Sequence, residues 1–239
     1  MRGRIAILAC LALVPASSAT GSNRSGGACP PTLANQLASP GSARQLITVA
    51  STRPSDTSGM LRAWEKRGEC WTQVAGPWPA WLAQRGISER KREGDRKTPS
   101  GIFGIQRTMY GVGANPGVRY RYHRVVCGDW WVEDPRSPHY NRFRHVRCGA
   151  TPPFRVVSED MSRSPEAYRY LAVIDYNTNP VLPGRGSGIF LHVSRGNPTI
   201  GCVSLPEDRL LTILRWLRPA KEPLIAIGTR KTIRMLRRS

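Results

Sequence analysis

The residues best suited to chemistry lie between Leu191 and Leu205, which read LHVSRGNPTIGCVSL. His192 ends an apolar run typical of a buried strand, and Cys202 follows it by ten positions, directly after Gly201. A cysteine attacks carbonyls as its thiolate, and a histidine can take the thiol proton and return it to a leaving amine. Glycine permits close approach, and nearby backbone N–H groups can hold an oxyanion. The segment predicts a cysteine acyl-transfer site, although such a pair also occurs as plain core residues.

The beginning of the chain predicts export. Two arginines precede an apolar run from Ile5 to Val14, and small residues up to Ala19 offer a cleavage site, which is typical of a secretory signal peptide over 1–19. Cys10 leaves a lipoprotein-type cleavage open as an alternative. The run is too short to span a bilayer, and no later segment approaches ~18 consecutive apolar residues. We therefore expect no stable membrane insertion after the signal is removed.

Removal of the signal leaves five cysteines, and an odd number in an oxidising compartment leaves one thiol unpaired. Cys127 and Cys148 flank one polar, aromatic loop and are the preferred disulfide, and Cys29 with Cys70 follows by elimination. Cys202 is then the free thiol. A zinc site is the competing interpretation, because four donors have spacings similar to those of zinc ligands: His123, Cys127, His145 and Cys148.

The charge balance indicates anionic surroundings. The chain has 36 Lys and Arg against 16 Asp and Glu, a formal net charge of +20. Such a charge favours a polyanionic partner. Because an exported protein does not meet chromosomal DNA, we expect no nucleic acid partner and instead expect cell-wall polymers rich in carboxylate and phosphate.

The sequence texture predicts one mainly β domain with few helices. Residues 20–43 are rich in Gly, Ser, Asn and Pro and predict a flexible lead-in. Short alternating and β-branched stretches over 44–228 predict the domain itself. Within it, residues 107–165 predict a long, disulfide-pinned insertion rather than an independent domain. The basic residues 229–239 predict a solvated tail.

One helix is expected shortly after the candidate nucleophile. Ser204 and Glu207 match a Ser-x-x-Glu capping box, and leucines follow at helical spacing. On this interpretation Cys202 lies two residues before the helix cap, where the positive end of the helix dipole favours a thiolate by up to ~1 kcal/mol.

The segment around Cys202 resembles the active-site signature of the L,D-transpeptidase catalytic domain, the YkuD-like family of bacterial cell-wall enzymes. That signature has a His on a strand, then Ser or Thr, any residue, Gly and Cys, followed by an apolar residue. The matching positions are His192, Thr199, Ile200, Gly201, Cys202 and Val203. An upstream loop, Thr98-Pro99-Ser100-Gly101-Ile102-Phe103, is similar to the family's Thr-Pro-x-Gly-x-Phe element. The resemblance covers roughly residues 45–228.

The resemblance implies a β-sandwich catalytic domain that needs no metal or organic cofactor. It implies that Cys202 attacks a peptide carbonyl in a peptidoglycan stem, that D-alanine leaves, and that an amine of a neighbouring stem resolves the thioester into a cross-link. His192 would be base and then acid. Thr199, Gly201 and Val203 would shape the pocket and the oxyanion site.

Three departures from the family pattern bear on the substrate. Many members have Gly where this chain has Val193, frequently His at the position of Ile200, and often Arg or Asn at that of Ser204. These positions lie near the substrate in the family, so donor and acceptor are left open. Two arginines near the histidine, Arg185 and Arg195, are candidates for pairing with stem carboxylates.

The sequence thus predicts a bacterial enzyme that is secreted, periplasmic or associated with the cell wall, and that acts in cell-wall organisation and cell shape. One alternative keeps the same cysteine but lets water resolve the thioester, giving an L,D-carboxypeptidase or endopeptidase. Another is a non-catalytic, basic cell-wall-binding protein in which Cys202 is structural.

Overall fold

A computed structural model describes residues 28–38, 40–155 and 158–236. The predicted signal peptide over 1–19, Cys10 and the first part of the predicted lead-in lie outside the described residues. The last three residues of the predicted tail lie outside them as well.

The described chain is mainly β, as predicted, with one α-helix. The elements are β1 (Gln45–Ser51), β2 (Ser58–Arg67), β3 (Cys70–Trp81), β4 (Ile87–Ser88), β5 (Thr98–Pro99), β6 (Gly101–Gly111), β7 (Arg121–Arg124), β8 (Asp129–Val132), β9 (Arg142–His145), β10 (Glu159–Asp160), β11 (Leu171–Ile174), β12 (Phe190–Val193), β13 (Val203–Leu205), α1 (Glu207–Trp216) and β14 (Leu224–Thr229).

Nine strands form one large sheet, in the order β11-β12-β13-β3-β2-β1-β14-β6-β7. The long strand β6 pairs with β14 through its first residues and with β11 further along. This double pairing closes every strand of the sheet except β7 into a ring. The ring surrounds the central core, to which α1 adds its buried face.

Alternation along the strands separates the central core from the outer face of the ring. In β12, Leu191 and Val193 belong to the central core. Phe190 points to the opposite face, into a second cluster of buried side chains that we call the outer cluster, and His192, two positions further along, points to the same face as Phe190. The same alternation holds in β13, where Val203 belongs to the central core and Cys202, just before the strand, belongs to the outer cluster. The chemically interesting residues therefore lie outside the ring.

The terminal segments cover another part of the outer face, over β1 and β14. Ala34 and Leu37 from the predicted lead-in and Ile233 from the predicted tail are buried there. A disulfide joins Cys29 to Cys70, which confirms that predicted pair. Because these apolar side chains are buried against the ring, the packed unit extends beyond residues 44–228 on both sides.

The insertion forms a second, three-stranded sheet in the order β10-β8-β9. A disulfide between Cys127 and Cys148 joins the two chain ends that flank β8 and β9, which confirms the preferred pair. This bond consumes both thiols of the alternative zinc set. The two histidines of that set, His123 and His145, instead lie 2.7 Å from the carboxylate oxygens of Asp129.

The helix begins where expected, but its predicted cap is wrong. Ser204 lies in β13 in register with His192, and its hydroxyl is buried with no hydrogen-bond partner. Pro206 precedes α1 and no side chain caps it. Because β13 separates Cys202 from α1, the helix dipole does not act on the thiol as predicted. In the described residues, no helix has the length and apolar character needed to cross a membrane.

Candidate active site

His192 and Cys202 project from the same outer face of two neighbouring parallel strands. Leu191 pairs with Val203 and His192 with Ser204, so Cys202 lies beside Phe190. The Phe190 N–H donates to Cys202 Sγ at 3.3 Å. Because side chains alternate along a strand, His192 and Cys202 are diagonal neighbours on this face. The structure therefore brings together the two residues that the sequence pairs.

Both reactive side chains are deeply placed, with 8% of each residue exposed. The Cys202 thiol donates to the carbonyl oxygen of Gly188 at 3.3 Å. Burial raises the pKa of Cys202 to about 12, and it lowers the pKa of His192 to about 4. At neutral pH the site therefore holds a neutral thiol beside a neutral imidazole rather than a preformed ion pair.

The imidazole of His192 is held in one orientation. Its Nδ1 lies 2.8 Å from the carbonyl oxygen of Val193. In a neutral ring the Nδ1–H donates to that carbonyl, which leaves Nε2 without a proton and able to act as a base. The Tyr168 ring packs edge-on against the imidazole, with the centroids 5.7 Å apart. The Val193 side chain faces the central core, so only its carbonyl takes part in the site.

The backbone of the cysteine is held by two threonines. The Thr98 hydroxyl donates to Cys202 O at 3.3 Å, and the Thr199 hydroxyl donates to the same oxygen at 2.7 Å. The Gly201 N–H in turn donates to Thr199 Oγ1 at 3.3 Å. Thr199 thus shapes the turn that presents Cys202. A side chain at Gly201 would press on Ile189, at 3.0 Å from its Cδ1.

Three other candidates from the sequence lie further from the reacting atoms. The Val203 side chain faces the central core, on the opposite face of β13 from Cys202. Arg185 and Arg195 lie on exposed segments before and after β12. Arg195 Nε lies 3.5 Å from Glu166 Oε2, in a surface ion pair.

The Gly-rich segment before β12 is fixed by Asn141. Its Oδ1 accepts from the Gly188 N–H and from Trp131 Nε1, both at 3.0 Å. Its Nδ2 donates to the carbonyl oxygens of Tyr176 and Asn177 at 3.0 and 2.8 Å. Asn141 is 3% exposed and has a left-handed φ of 54°. The Asn141 amide therefore positions Gly188, whose carbonyl accepts a hydrogen bond from the Cys202 thiol.

The sequence interpretation missed two acids that the insertion brings to the site. Glu159 pairs with Trp131 across β10 and β8, and Glu133 comes two positions after Trp131. Because Trp131 packs with Cys202 in the outer cluster, alternation places both carboxylates on the face that covers the thiol. The alternation around Trp131 could have indicated this, but only with β8 and its buried face already known.

No group of three or more His, Cys, Asp or Glu side chains is placed to hold a metal ion within the ranges that the structure describes. The arrangement includes one thiol, one imidazole nitrogen free to accept a proton, and two carboxylates. A thiol beside such a nitrogen is suited to nucleophilic attack and proton transfer.

Comparisons with known proteins identify the family of the chain. The family model of the L,D-transpeptidase catalytic domain matches residues 56–231. A search of curated proteins gave no match. A crystal structure of the helical cell shape determining protein Pgp2 from Campylobacter jejuni is similar, with 14% identity and a TM-score of 0.37. The alignment covers 77% of this chain and 47% of that one, so this chain spans about half the length of Pgp2. On the family match over most of its length, the chain belongs to the L,D-transpeptidase catalytic domain family.

Proposed function

We propose that this protein is an exported cysteine acyltransferase that forms peptidoglycan cross-links through a thioester on Cys202. The observation that carries the proposal is the shared outer face of β12 and β13, which pairs a free thiol with an imidazole whose Nε2 is available as a base. Family membership supports the substrate class, a peptidoglycan stem peptide. We also keep, as a proposal, the division of the chain into a signal peptide (1–19), a lead-in (20–43), a catalytic domain (44–228) and a basic tail (229–239).

In the first half-reaction, His192 Nε2 takes the thiol proton as Sγ attacks the carbonyl on the L side of an L–D bond. A tetrahedral oxyanion forms, and we assign its stabilisation to the backbone N–H of Cys202. Collapse of this intermediate breaks the C–N bond, and the imidazolium returns the proton to the nitrogen of the departing D-alanine. The product is a thioester on Cys202.

In the second half-reaction, an acceptor amine attacks the thioester carbonyl and Sγ leaves. The amine nitrogen loses a proton to His192, and the thiolate regains one, so the enzyme returns to its starting state. Water in place of the amine gives hydrolysis and hence an L,D-carboxypeptidase or endopeptidase. The first half-reaction is common to both outcomes.

The raised pKa of Cys202 and the lowered pKa of His192 support a mechanism in which the thiol loses its proton only after the substrate binds. A neutral pair exchanges a proton only when the resulting charges are stabilised, and the developing oxyanion and its donors are present only with a substrate in place. The surplus of basic residues supports association with anionic wall polymers around the enzyme.

The test is incubation of the protein, with its disulfides intact, with tetrapeptide stems that end in D-alanine. Mass spectrometry of the products should show a dimer that has lost one D-alanine, and Cys202→Ser should abolish it. A trimmed monomer alone would assign hydrolysis instead of transfer. Unchanged peptide together with a Cys202 that no carbapenem modifies would support a non-catalytic wall-binding protein.

A further inference from the structure

The inner face of the second sheet places two carboxylates over the reactive thiol. Trp131, on β8, packs with Cys202 in the outer cluster. Glu159 on β10 is in register with Trp131, and Glu133 follows it by two positions, so both acids share its face. The disulfide-pinned insertion therefore adds charged groups to the site.

The contacts of Glu133 define its place more closely. A Cβ built on Gly188 would lie 2.1 Å from Glu133 Oε1, so the carboxylate rests directly on that glycine. Gly188 has a φ of 60°, and its carbonyl accepts the Cys202 thiol. No described side chain donates a hydrogen bond to the Glu133 carboxylate, whose residue is only partly buried.

Glu159 connects the acids to the other reactive residue. Its Oε2 accepts from the Tyr168 hydroxyl at 2.6 Å, and its Oε1 accepts from Ser164 Oγ at 3.4 Å. The ring of Tyr168 is the one that packs against His192. Glu133 thus adjoins Gly188, whose carbonyl accepts a hydrogen bond from the Cys202 thiol. Glu159 adjoins Tyr168, whose ring packs against His192.

Lys91 is the cation near this pair and its charge lowers the pKa of Glu133, but its ammonium is hydrogen-bonded to other groups. The Lys91 ammonium donates to Asp95 Oδ1 at 2.7 Å and to Arg92 O at 2.9 Å. Glu93, a third acid nearby, accepts from Ser187 Oγ at 2.6 Å and also from the hydroxyl of Tyr140.

Among the described residues, the other titratable groups that act on the acids are Asp160, Cys202 and Tyr168. Burial, with Glu159 and Glu93 adding to it, raises the pKa of Glu133 to about 8, and burial also raises the pKa of Glu159. A proton on Glu133 therefore reduces the negative charge of the pair at neutral pH.

We propose that Glu133 and Glu159, which lie over Gly188 and the Tyr168 hydroxyl beside the thiol, form the binding site for the ammonium group of the acceptor peptide. The inference rests on the proposed function, because an acceptor amine is what distinguishes transfer from hydrolysis. An ammonium held here lies beside the thioester, and transfer of one of its protons to the Glu133 carboxylate frees the lone pair that attacks the carbonyl. The ammonium also offsets the negative charge that disfavours the thiolate form of Cys202.

The test compares two small thiol reagents of opposite fixed charge, 2-(trimethylammonio)ethyl and 2-sulfonatoethyl methanethiosulfonate. Each forms a mixed disulfide with the thiolate of Cys202 and releases methanesulfinate. The ratio of the cationic to the anionic rate constant is independent of the thiolate fraction, because that fraction cancels. Modification at Cys202 is followed by peptide mass in the disulfide-intact protein.

We expect Glu133→Gln and Glu159→Gln each to lower this ratio about tenfold at pH 9, which lies above the pKa of about 8 of Glu133. The matched control, Glu69→Gln, removes the same charge from an exposed turn and should leave the ratio unchanged. In the unmodified protein the ratio should rise from pH 6 to pH 9, because a carboxyl with a raised pKa is neutral at pH 6 and charged at pH 9. Thermal melting shows whether each variant is folded. If one of the two variants misfolds, the other still provides the test.

Ratios within twofold of the parent in both variants would overturn the proposal, as would a Cys202 that neither reagent reaches. The reagent ratios do not depend on turnover of a peptide substrate. Failure of the proposed function is therefore distinguished from failure of this inference by the turnover assay. In the turnover assay, acetylation of the acceptor amine should abolish the dimer, and Glu133→Gln should raise the KM for the acceptor while the carbapenem still acylates Cys202. An unchanged acceptor KM in both variants would also contradict the assignment.

Discussion

The Thr98 hydroxyl donates to the carbonyl oxygen of Cys202 at 3.3 Å, although 104 positions separate the two residues in the chain. Thr199, on the other side of the site, donates to the same oxygen at 2.7 Å. Thr98 also accepts from the Ala83 N–H at 2.9 Å. The two sequence elements that carry the family resemblance therefore meet at the backbone of one residue, and they fix the direction in which its side chain leaves the chain.

Replacement of these hydroxyls should weaken both the fold and the reaction. We expect Thr98→Val and Thr199→Val each to lower the free energy of unfolding by about 1–2 kcal/mol, since each leaves buried groups with a lost partner. Each should slow carbapenem acylation about tenfold. Because the hydroxyls share an acceptor, either one alone still satisfies the Cys202 carbonyl, and the double variant should lose more stability than the sum of the single effects.

The control for this cycle is Thr72→Val, at an exposed position of β3. Denaturant unfolding and acylation kinetics would be measured on all four variants. Strict additivity of the two site substitutions would argue against a shared role at the Cys202 carbonyl.

The two disulfides should stabilise the protein by similar amounts through separate segments. The bridges close loops with sequence separations of 41 and 21 residues. On the chain-entropy model, paired Cys→Ser replacement should lower the free energy of unfolding by about 4 kcal/mol for Cys29–Cys70 and about 3 kcal/mol for Cys127–Cys148. Only the second pair borders the sheet that covers the thiol, so only its loss should slow acylation in the protein that remains folded. Equal slowing by both would contradict this division.

Asn141 offers a test of positioning at a distance from the reacting atoms. Asn141→Gly and Asn141→Ala both remove the amide that holds the Gly188 N–H, so both should lower the acylation rate about tenfold at saturating reagent. Alanine should also be less stable than glycine by about 1 kcal/mol, because a Cβ at a φ of 54° is strained. An effect confined to melting temperature, with acylation unchanged, would assign Asn141 a purely structural role.

The buried imidazole predicts a specific acid sensitivity. Burial lowers the pKa of His192 from 6.5 to about 4 in the folded protein, so the unfolded state binds the proton more readily. The contribution of neutral His192 to the free energy of unfolding is therefore fully present above pH 6.5. It falls by about 3 kcal/mol as the pH drops to 4. Glu133 acts in the opposite sense, because its raised pKa favours folding at low pH and that contribution is lost as the pH rises through about 8.

The difference between the parent and His192→Gln therefore isolates the histidine. Urea unfolding at pH 4, 5, 6 and 7 should show a gap between the two proteins that changes by this amount across the range. A gap that is constant with pH would indicate an imidazole that titrates normally.

Local sequence features predicted the thiol, the histidine and both disulfide pairs, because each depends on residue type and compartment more than on long-range geometry. The resemblance indicated the mainly β fold. The capping box failed because Ser204 is drawn into the ladder beside β12, where tertiary pairing overrides a local helix signal.

The positions of the two acids could not be predicted from the sequence, for a related reason. The places of Glu133 and Glu159 depend on how the insertion folds back over β12, which no short-range pattern contains. The same holds for Leu37 and Ile233, which lie in segments of polar or basic composition and yet pack against the ring. Contacts between distant segments decide all four positions.

Acylation of Cys202 is tested most directly by the intact mass of the disulfide-intact protein after incubation with a tetrapeptide stem. We expect one covalent adduct of the stem less D-alanine, mapped to Cys202, that is absent from Cys202→Ser at equal folded content. No adduct on the folded parent protein, or an equal adduct on the Cys202→Ser variant, would contradict it.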